Sequence, residues 1–271
     1  MAGESRPGPR GGRIGRGSAE ILVFGRRAVL EALARRPARV AWVQLSRRQG
    51  GPFRKELAGA CRDAGVRLET VRPESIHARS GEPRHDQGVV AGVALAGLME
   101  IEAMIASTTG AGAREPAPLI ALVGITNPQN VGMIVRSVVA SGMRGLLWPL
   151  VGMPWVNGLV VKASAATAYD CPIVRCDSLV QGLAELRGAG FRVVGLQGEG
   201  ATDLFDMKPA HRAVYVIGGE TEGISAEVAA LLDESVRIPM RGGVESLNAA
   251  VAASLLCFRV AHASARANGA A

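Results

Sequence analysis

Residues 119–125, Leu-Ile-Ala-Leu-Val-Gly-Ile, form an apolar run without a polar interruption. Seven residues are too few to cross a bilayer, and alternation with polar residues is absent, so the run reads as a strand buried on both faces of a sheet. An amphipathic helix follows at 127–141, and then the pairing repeats: "GLLW", a helix near 158–168, "CPIVR", a helix at 178–188, "FRVVGL", "AVYVIG", a helix at 224–232, "SVRIP" and a helix at 246–262. Strands alternating with helices predict an α/β domain over 119–265 with a mostly parallel sheet covered on both faces. With 48% apolar residues in 271, the chain has material for such a core and for a second, smaller one.

The smaller one precedes it. A helix in "FGRRAVLEALARRP", a strand "VAWVQLS", a helix in "FRKELAGACRDAG" closed by Gly65, a strand "VRLETV", a short helix "PESIHARSG" and a strand "QGVVAGVAL" predict an α/β domain over 21–97. Residues 98–118 turn acidic and end in "STTGAGAREPAP", which reads as a linker. Residues 1–20, rich in Gly, Pro and Arg and with no apolar signal-like core, read as a disordered basic tail.

Charge is unevenly spread along the chain. Residues 1–84 hold 18 Arg/Lys against 8 Asp/Glu, and residues 85–271 hold 13 against 16, so a front of +10 is followed by a remainder of −3. A polyanion held by the front accounts for this, since Lys/Arg contacts to phosphate dominate non-specific affinity for nucleic acid; a solvated arginine-rich surface is the alternative. The four cysteines, Cys61, Cys171, Cys176 and Cys257, lack metal-ligand spacing, so buried thiols in a cytoplasmic protein are expected, with no metal and no membrane segment.

Three stretches combine strand ends, glycines and polar side chains. In "NPQNVGMIVRS" (127–137) and the residues that follow it, Val131, Ile134, Val135, Val138 and Val139 form the core face of a helix. Gly132, Arg136 and Ala140 run beside them, and the small residues leave room for a chain or ligand to approach the guanidinium. Asn130 is a candidate helix cap. In "VIGGETEGIS" a strand ends at Gly218-Gly219-Glu220, where an open α/β sheet binds small molecules. In "IPMRGGVESLNAAVAASLLCF" Ser246 is a candidate cap, with Asn248 in the first turn of the last helix.

These three stretches, in this order, resemble the motifs of the SpoU (TrmH) family of RNA 2′-O-methyltransferases, and "FGRRAVLEAL" and "HDQGVVAGV" resemble that family's N-terminal substrate-binding domain, related to ribosomal protein L30e. The resemblance covers about residues 22–262 and in layout is nearest to the bacterial 23S rRNA guanosine-2′-O-methyltransferases. It implies a SPOUT fold with a deep trefoil knot, a homodimer, RNA as partner and S-adenosylmethionine as cofactor. By position it implies cofactor contacts at Gly218, Ile238 and Leu247 with Leu196, Glu220 and Met240 beside them. Asn130, Arg136, Glu220, Ser246 and Asn248 match the polar catalytic and binding positions. Two departures stand out: "SLNAA" puts Ala249 and Ala250 where many members end in Val-Ser, and "SAAT" (164–167) stands where "SAGA" is usual.

A Rossmann-type site is excluded because "GLQGEGATD" lacks the third glycine of GxGxxG, and no P-loop, HExxH or EF-hand pattern is present. Three further readings stay open: a tRNA 2′-O-methyltransferase, a 23S rRNA antibiotic-resistance methyltransferase, and a non-catalytic RNA-binding or ribosome-assembly protein.

Overall fold

The computed structural model describes residues 20–35, 39–81, 83–94, 97–109, 115–149, 158–220 and 222–267. The basic stretch at 1–19 and the Gly-rich 110–114 lie outside them. The chain divides into two compact units after residue 95, with the residues of one short helix up to Lys162 grouped with the first.

The first unit runs β1 (Glu20–Phe24), α1 (Arg26–Arg35), β2 (Val40–Ser46), α2 (Gly51–Asp63), β3 (Leu68–Val71), α3 (Pro73–Ser80) and β4 (Val89–Ala94). Its sheet has the order β1-β4-β2-β3, with β4 antiparallel to both neighbours and β2 parallel to β3. Val89, Val90, Ala91 and Val93 of β4 are fully buried, as the apolar run at the centre of a sheet requires.

The second unit begins earlier than its composition announces. Residues expected as linker form β5 (Leu98–Glu100) and α4 (Ile101–Ser107). β5 is the edge strand of the large sheet, parallel to β8 (Ile173–Cys176), and an Arg175–Glu100 ion pair reinforces the pairing. Ile101 and Met104 enter the same core as Leu119 and Val174. Ten residues carry too short an apolar pattern to show against their acidic neighbours, and sheet pairing with a strand some 75 positions away decides the outcome.

From there the chain continues through β6 (Ala117–Val123), α5 (Pro128–Ser141), β7 (Gly145–Pro149), α6 (Gly158–Ala163), the strand β8, α7 (Leu179–Gly188), β9 (Arg192–Leu196), β10 (Thr202–Asp203), β11 (Arg212–Gly218), α8 (Ala226–Ala229), β12 (Glu234–Arg237) and α9 (Ala249–Ala267). The eight strands lie in the order β10-β12-β9-β11-β6-β7-β8-β5, and each neighbouring pair is parallel. Leu119 to Leu122 in β6 are at most 1% exposed, as expected for a central strand covered on both faces. Among the described residues no helix is long and apolar enough to cross a membrane. All four cysteines are buried and unpaired, and burial pushes the Cys171, Cys176 and Cys257 thiols up to about 12.

The helix expected near 158–168 breaks in two. α6 stops at Ala163, Ala165 and Ala166 take left-handed backbone angles (φ 51° and 66°), and a short 3-10 turn follows at Thr167–Tyr169. Ala166 holds the position where "SAGA" has glycine, so a Cβ sits where the backbone favours none. Ser164, fully buried, stabilises the break: its Oγ accepts from the Ala168 N–H and its carbonyl accepts from the Thr167 N–H and hydroxyl. A left-handed alanine costs roughly 1–2 kcal/mol, and glycine loses about 0.4–1 kcal/mol through its freer unfolded chain. Ala166→Gly is therefore expected to stabilise the protein by roughly 0.5–1 kcal/mol, read as a rise in the thermal or urea midpoint; an unchanged or lowered midpoint would show that the turn is not strained.

Candidate active site

Three loops leave the carboxyl ends of the neighbouring parallel strands β12, β9 and β11, and they line one cleft of ≈ 950 Å3. The loop after β9 contributes Leu196 to Glu199; that after β11 contributes Gly218, Gly219, Glu220 and Glu222 to Ile224; that after β12 contributes Ile238 to Met240 and Val244 to Leu247. All six expected cofactor-contact residues, Leu196, Gly218, Glu220, Ile238, Met240 and Leu247, are in this lining, and so is Ser246. This is where an open α/β sheet offers free backbone groups and loop side chains to a ligand.

Close backbone packing shapes the β11 loop. The strand ends in Gly218, and a Cβ there would lie 2.2 Å from the Gly223 carbonyl carbon; one on Gly219 would lie 2.9 Å from the Gly124 oxygen. Gly219 and Gly223 bridge each other, so the loop that carries Glu220 folds back on itself.

Glu220 is the junction of the site. Its Oε1 accepts from the Asn130 side-chain amide at 2.9 Å, from the Asn248 amide at 3.2 Å and from the Ala249 backbone N–H at 3.1 Å. Asn248 also donates to Asn130 Oδ1 at 3.1 Å, closing a triangle of three side chains from three distant segments. The Ala249 N–H first, then the Glu220 N–H and the Asn130 amide, hold the Glu220 carboxyl below the usual carboxylate range against the opposing effect of its partial burial. The residue nevertheless remains exposed overall.

Both helix starts differ from their sequence-based assignment. α5 is capped by Asn127, whose Oδ1 accepts from the Gln129 N–H at 2.9 Å, with Pro128 preset at the first helical position. Asn130 lies too far along the helix to cap it; it is buried and turns its amide to Glu220. α9 is capped by Asn248, not Ser246: Asn248 Oδ1 accepts from the Ala250 and Val251 N–H groups at 2.9 and 3.4 Å, and its carbonyl accepts from Ala252. The signal is present in the sequence, since asparagine caps as well as serine, but two candidates two residues apart cannot be ranked by propensity.

Arg136 stands apart. It is exposed on α5, outside the cleft lining, and forms no hydrogen bond or ion pair among the described residues. Ala140 shares that exposure, whereas Gly132 is buried and so opens no space around the guanidinium. The core face is as expected for Val131, Ile134, Val135 and Val138, all fully buried, with Val139 only half-buried. α5 packs against α9, where Ser137 and Ser254 share a 2.8 Å hydrogen bond.

Comparison with known proteins matches this arrangement. The profile of the SpoU rRNA Methylase family matches residues 117–258, more than half of the chain, and a profile for RNA 2′-O ribose methyltransferase substrate binding matches residues 22–96. An uncharacterized tRNA/rRNA methyltransferase of Mycobacterium avium (strain 104) is 34% identical over 239 residues, which cover 88% of this chain and 76% of that protein. The SpoU methyltransferase AviRb from Streptomyces viridochromogenes, solved in complex with the cofactor AdoMet, superposes with a TM-score of 0.64 at 26% identity over 90% of both chains. An AdoMet-bound rRNA methyltransferase from Sinorhizobium meliloti shares the fold, with a TM-score of 0.62 at 21% identity over 92% of this chain and 88% of its own. The chain belongs to the SpoU rRNA methylase family and is an RNA ribose 2′-O-methyltransferase of that family, with a substrate-binding domain ahead of its methylase domain.

Proposed function

We propose that this protein methylates the ribose 2′-hydroxyl of a guanosine in 23S rRNA, with S-adenosylmethionine as methyl donor, and that it works as a homodimer. The observation that carries the reading is the convergence of the three motif loops on one cleft, tied together through Glu220. The lining fits the donor: Leu196, Ile217, Ile238 and Leu247 offer apolar walls to a heterocycle, free loop backbone offers hydrogen bonds, and carboxylates face its positive charge. When bound, S-adenosylmethionine supplies an electrophilic methyl on a sulfonium centre. The trefoil knot implied by the resemblance belongs to this proposal as the threading that holds the three loops in place. Support for an rRNA target comes from the match to the SpoU rRNA Methylase family; relatives named tRNA/rRNA methyltransferases fit a tRNA target equally, and that is the second reading.

The roles of the polar residues follow from where they stand. Glu220 and Asn130 are positioning residues: they fix the β11 loop against the starts of α5 and α9. Asn248 does the same from the cap of α9, and Ser246 and Leu247 carry that loop into the cleft. Arg136, exposed and without an ion pair among the described residues, binds a phosphate of the RNA and stabilises charge developing on the ribose oxygen, since a guanidinium is a poor base but a planar two-point donor. The hydroxyl proton leaves to solvent as the oxygen attacks in line with the carbon–sulfur bond. Ala250 supplies no hydroxyl; it is buried, and its backbone N–H serves the α9 cap.

Self-association has a candidate surface. Met133 on α5 and Val251 and Phe258 on α9 are 43%, 49% and 51% exposed, on two helices that pack together and that the Ser137–Ser254 bond joins, and we take them as one face. A second copy covering that face places its α5, and Arg136 with it, at the interface.

Three measurements test these roles. Ribose-methylation mapping of total rRNA and tRNA from cells with and without the protein should show loss at one 23S guanosine, and loss only in tRNA overturns the target. Arg136→Lys should leave S-adenosylmethionine affinity unchanged while turnover drops roughly tenfold or more, because an ammonium lacks the fork; near-normal turnover removes the phosphate-clamp role. Phe258→Asp should raise the dimer dissociation constant about a hundredfold in analytical ultracentrifugation, the scale expected when a central aromatic anchor is replaced, and an unaltered constant places self-association elsewhere.

Glu220 gives a pH test with a definite sign. A carboxyl held low in the folded state stabilises fully above its ordinary range, and that stabilisation is lost as pH falls through the folded value. Glu220→Gln should therefore lower the thermal midpoint at neutral pH, with the gap to the unsubstituted protein closing in acid, and should weaken S-adenosylmethionine binding roughly tenfold through the misplaced loop. A gap that stays constant down to acid pH contradicts the charged tie.

A further inference from the structure

Charge in the cleft is one-sided. Glu199 on the β9 loop, Glu220 and Glu222 on the β11 loop and Glu245 on the β12 loop all line it, and among the described residues the single cation in the lining is Arg237. That guanidinium is engaged by backbone, donating to the Gly200 carbonyl at 2.6 Å and the Ala201 carbonyl at 3.4 Å. Arg241, in the same loop as Met240, does not line the cleft. Glu220 stays ionised because its hydrogen bonds favour the charged form. Three of the four carboxylates, Glu199, Glu222 and Glu245, have no part in the Glu220–Asn130–Asn248 tie and are exposed along the rim.

Methyl transfer changes the charge of the molecule that occupies this cleft. S-adenosylmethionine carries a sulfonium, an ammonium and a carboxylate, and so a net positive charge. When the methyl leaves with the ribose oxygen, the carbon–sulfur electron pair stays on sulfur, which becomes a neutral thioether, and S-adenosylhomocysteine is left with no net charge. The two are otherwise nearly the same shape, so apolar walls and backbone hydrogen bonds bind them almost equally. An electrostatic field is the one feature of a cleft that separates them whatever the pose.

We infer that Glu199, Glu222 and Glu245 form an electrostatic filter that favours the charged methyl donor over its neutral product, loading the one and releasing the other after each turnover. The inference rests on the S-adenosylmethionine reading of the cleft. A carboxylate about 8 Å from a cation across water is worth about a two- to threefold preference at low ionic strength, so three at that range contribute on the order of tenfold. Exposed carboxylates act through water, and the preference is therefore sensitive to salt.

Calorimetric titration of the purified full chain with each ligand separately tests this without any turnover. The isosteric triple variant Glu199→Gln, Glu222→Gln, Glu245→Gln should bind S-adenosylmethionine roughly tenfold more weakly and S-adenosylhomocysteine within about twofold of the unsubstituted protein. In the unsubstituted protein, raising salt from low to high ionic strength should shrink the donor-to-product affinity ratio by a similar factor, a readout that needs no variant. Equal losses for both ligands, or a ratio indifferent to salt and to the triple variant, overturns the filter while leaving the cofactor reading intact. If the unsubstituted protein binds neither ligand, the cofactor reading falls and the filter falls with it.

Discussion

One carboxylate oxygen organises the methylase unit. Glu220 Oε1 takes donors from Asn130, Asn248 and Ala249, residues separated by up to 119 positions in sequence. The reason lies in the unpaired N–H groups that every helix leaves at its start. At α9 the first three helical N–H groups are accounted for: Ala249 donates to Glu220, and Ala250 and Val251 to Asn248 Oδ1, before Ala252 makes the first helical bond to the Asn248 carbonyl. A negative charge at that point also meets the positive end of the helix dipole, so the cap and the inter-loop tie are the same contact. Remove the charge, and the β11 loop, the start of α5 and the start of α9 lose their common partner together.

Sheet order explains why those loops meet. β12, β9 and β11 are neighbours and all parallel, so their carboxyl ends open on the same edge although the three strands are spread over residues 192–237. Tight backbone contact then takes over from side chains: at Gly218 and Gly219 any Cβ would strike another strand or loop backbone. The cleft walls are thus set by main-chain packing, and specificity is left to the side chains that project from it.

Much of this is legible in the chain itself. Continuous apolar runs such as 119–125 signal buried parallel strands because both faces must be dry, and the core face of α5 follows from its 3.6-residue spacing. All six residues matched to cofactor positions line the one cleft. What escapes are features fixed by partners remote in sequence. β5 exists because β8 pairs with it; Asn248 rather than Ser246 caps α9 because Glu220 holds its amide; Ala166 bends left-handed because buried Ser164 organises the turn around it. In each case local propensity allows two outcomes, and a tertiary contact chooses between them.

The position of Arg136 completes the logic of charge. A guanidinium placed among Glu199, Glu220, Glu222 and Glu245 would be neutralised by them and could not hold a phosphate. The fold instead keeps Arg136 outside the cleft lining and free of ion pairs among the described residues. The sequence repeats the division on a larger scale, with +10 in residues 1–84 and −3 in the remainder. A polyanionic substrate and a cationic methyl donor impose opposite demands on a protein surface. On the proposed function, with the basic front and Arg136 facing the one and the acidic cleft the other, separating them lets each be attracted without its counter-charge being consumed inside the protein.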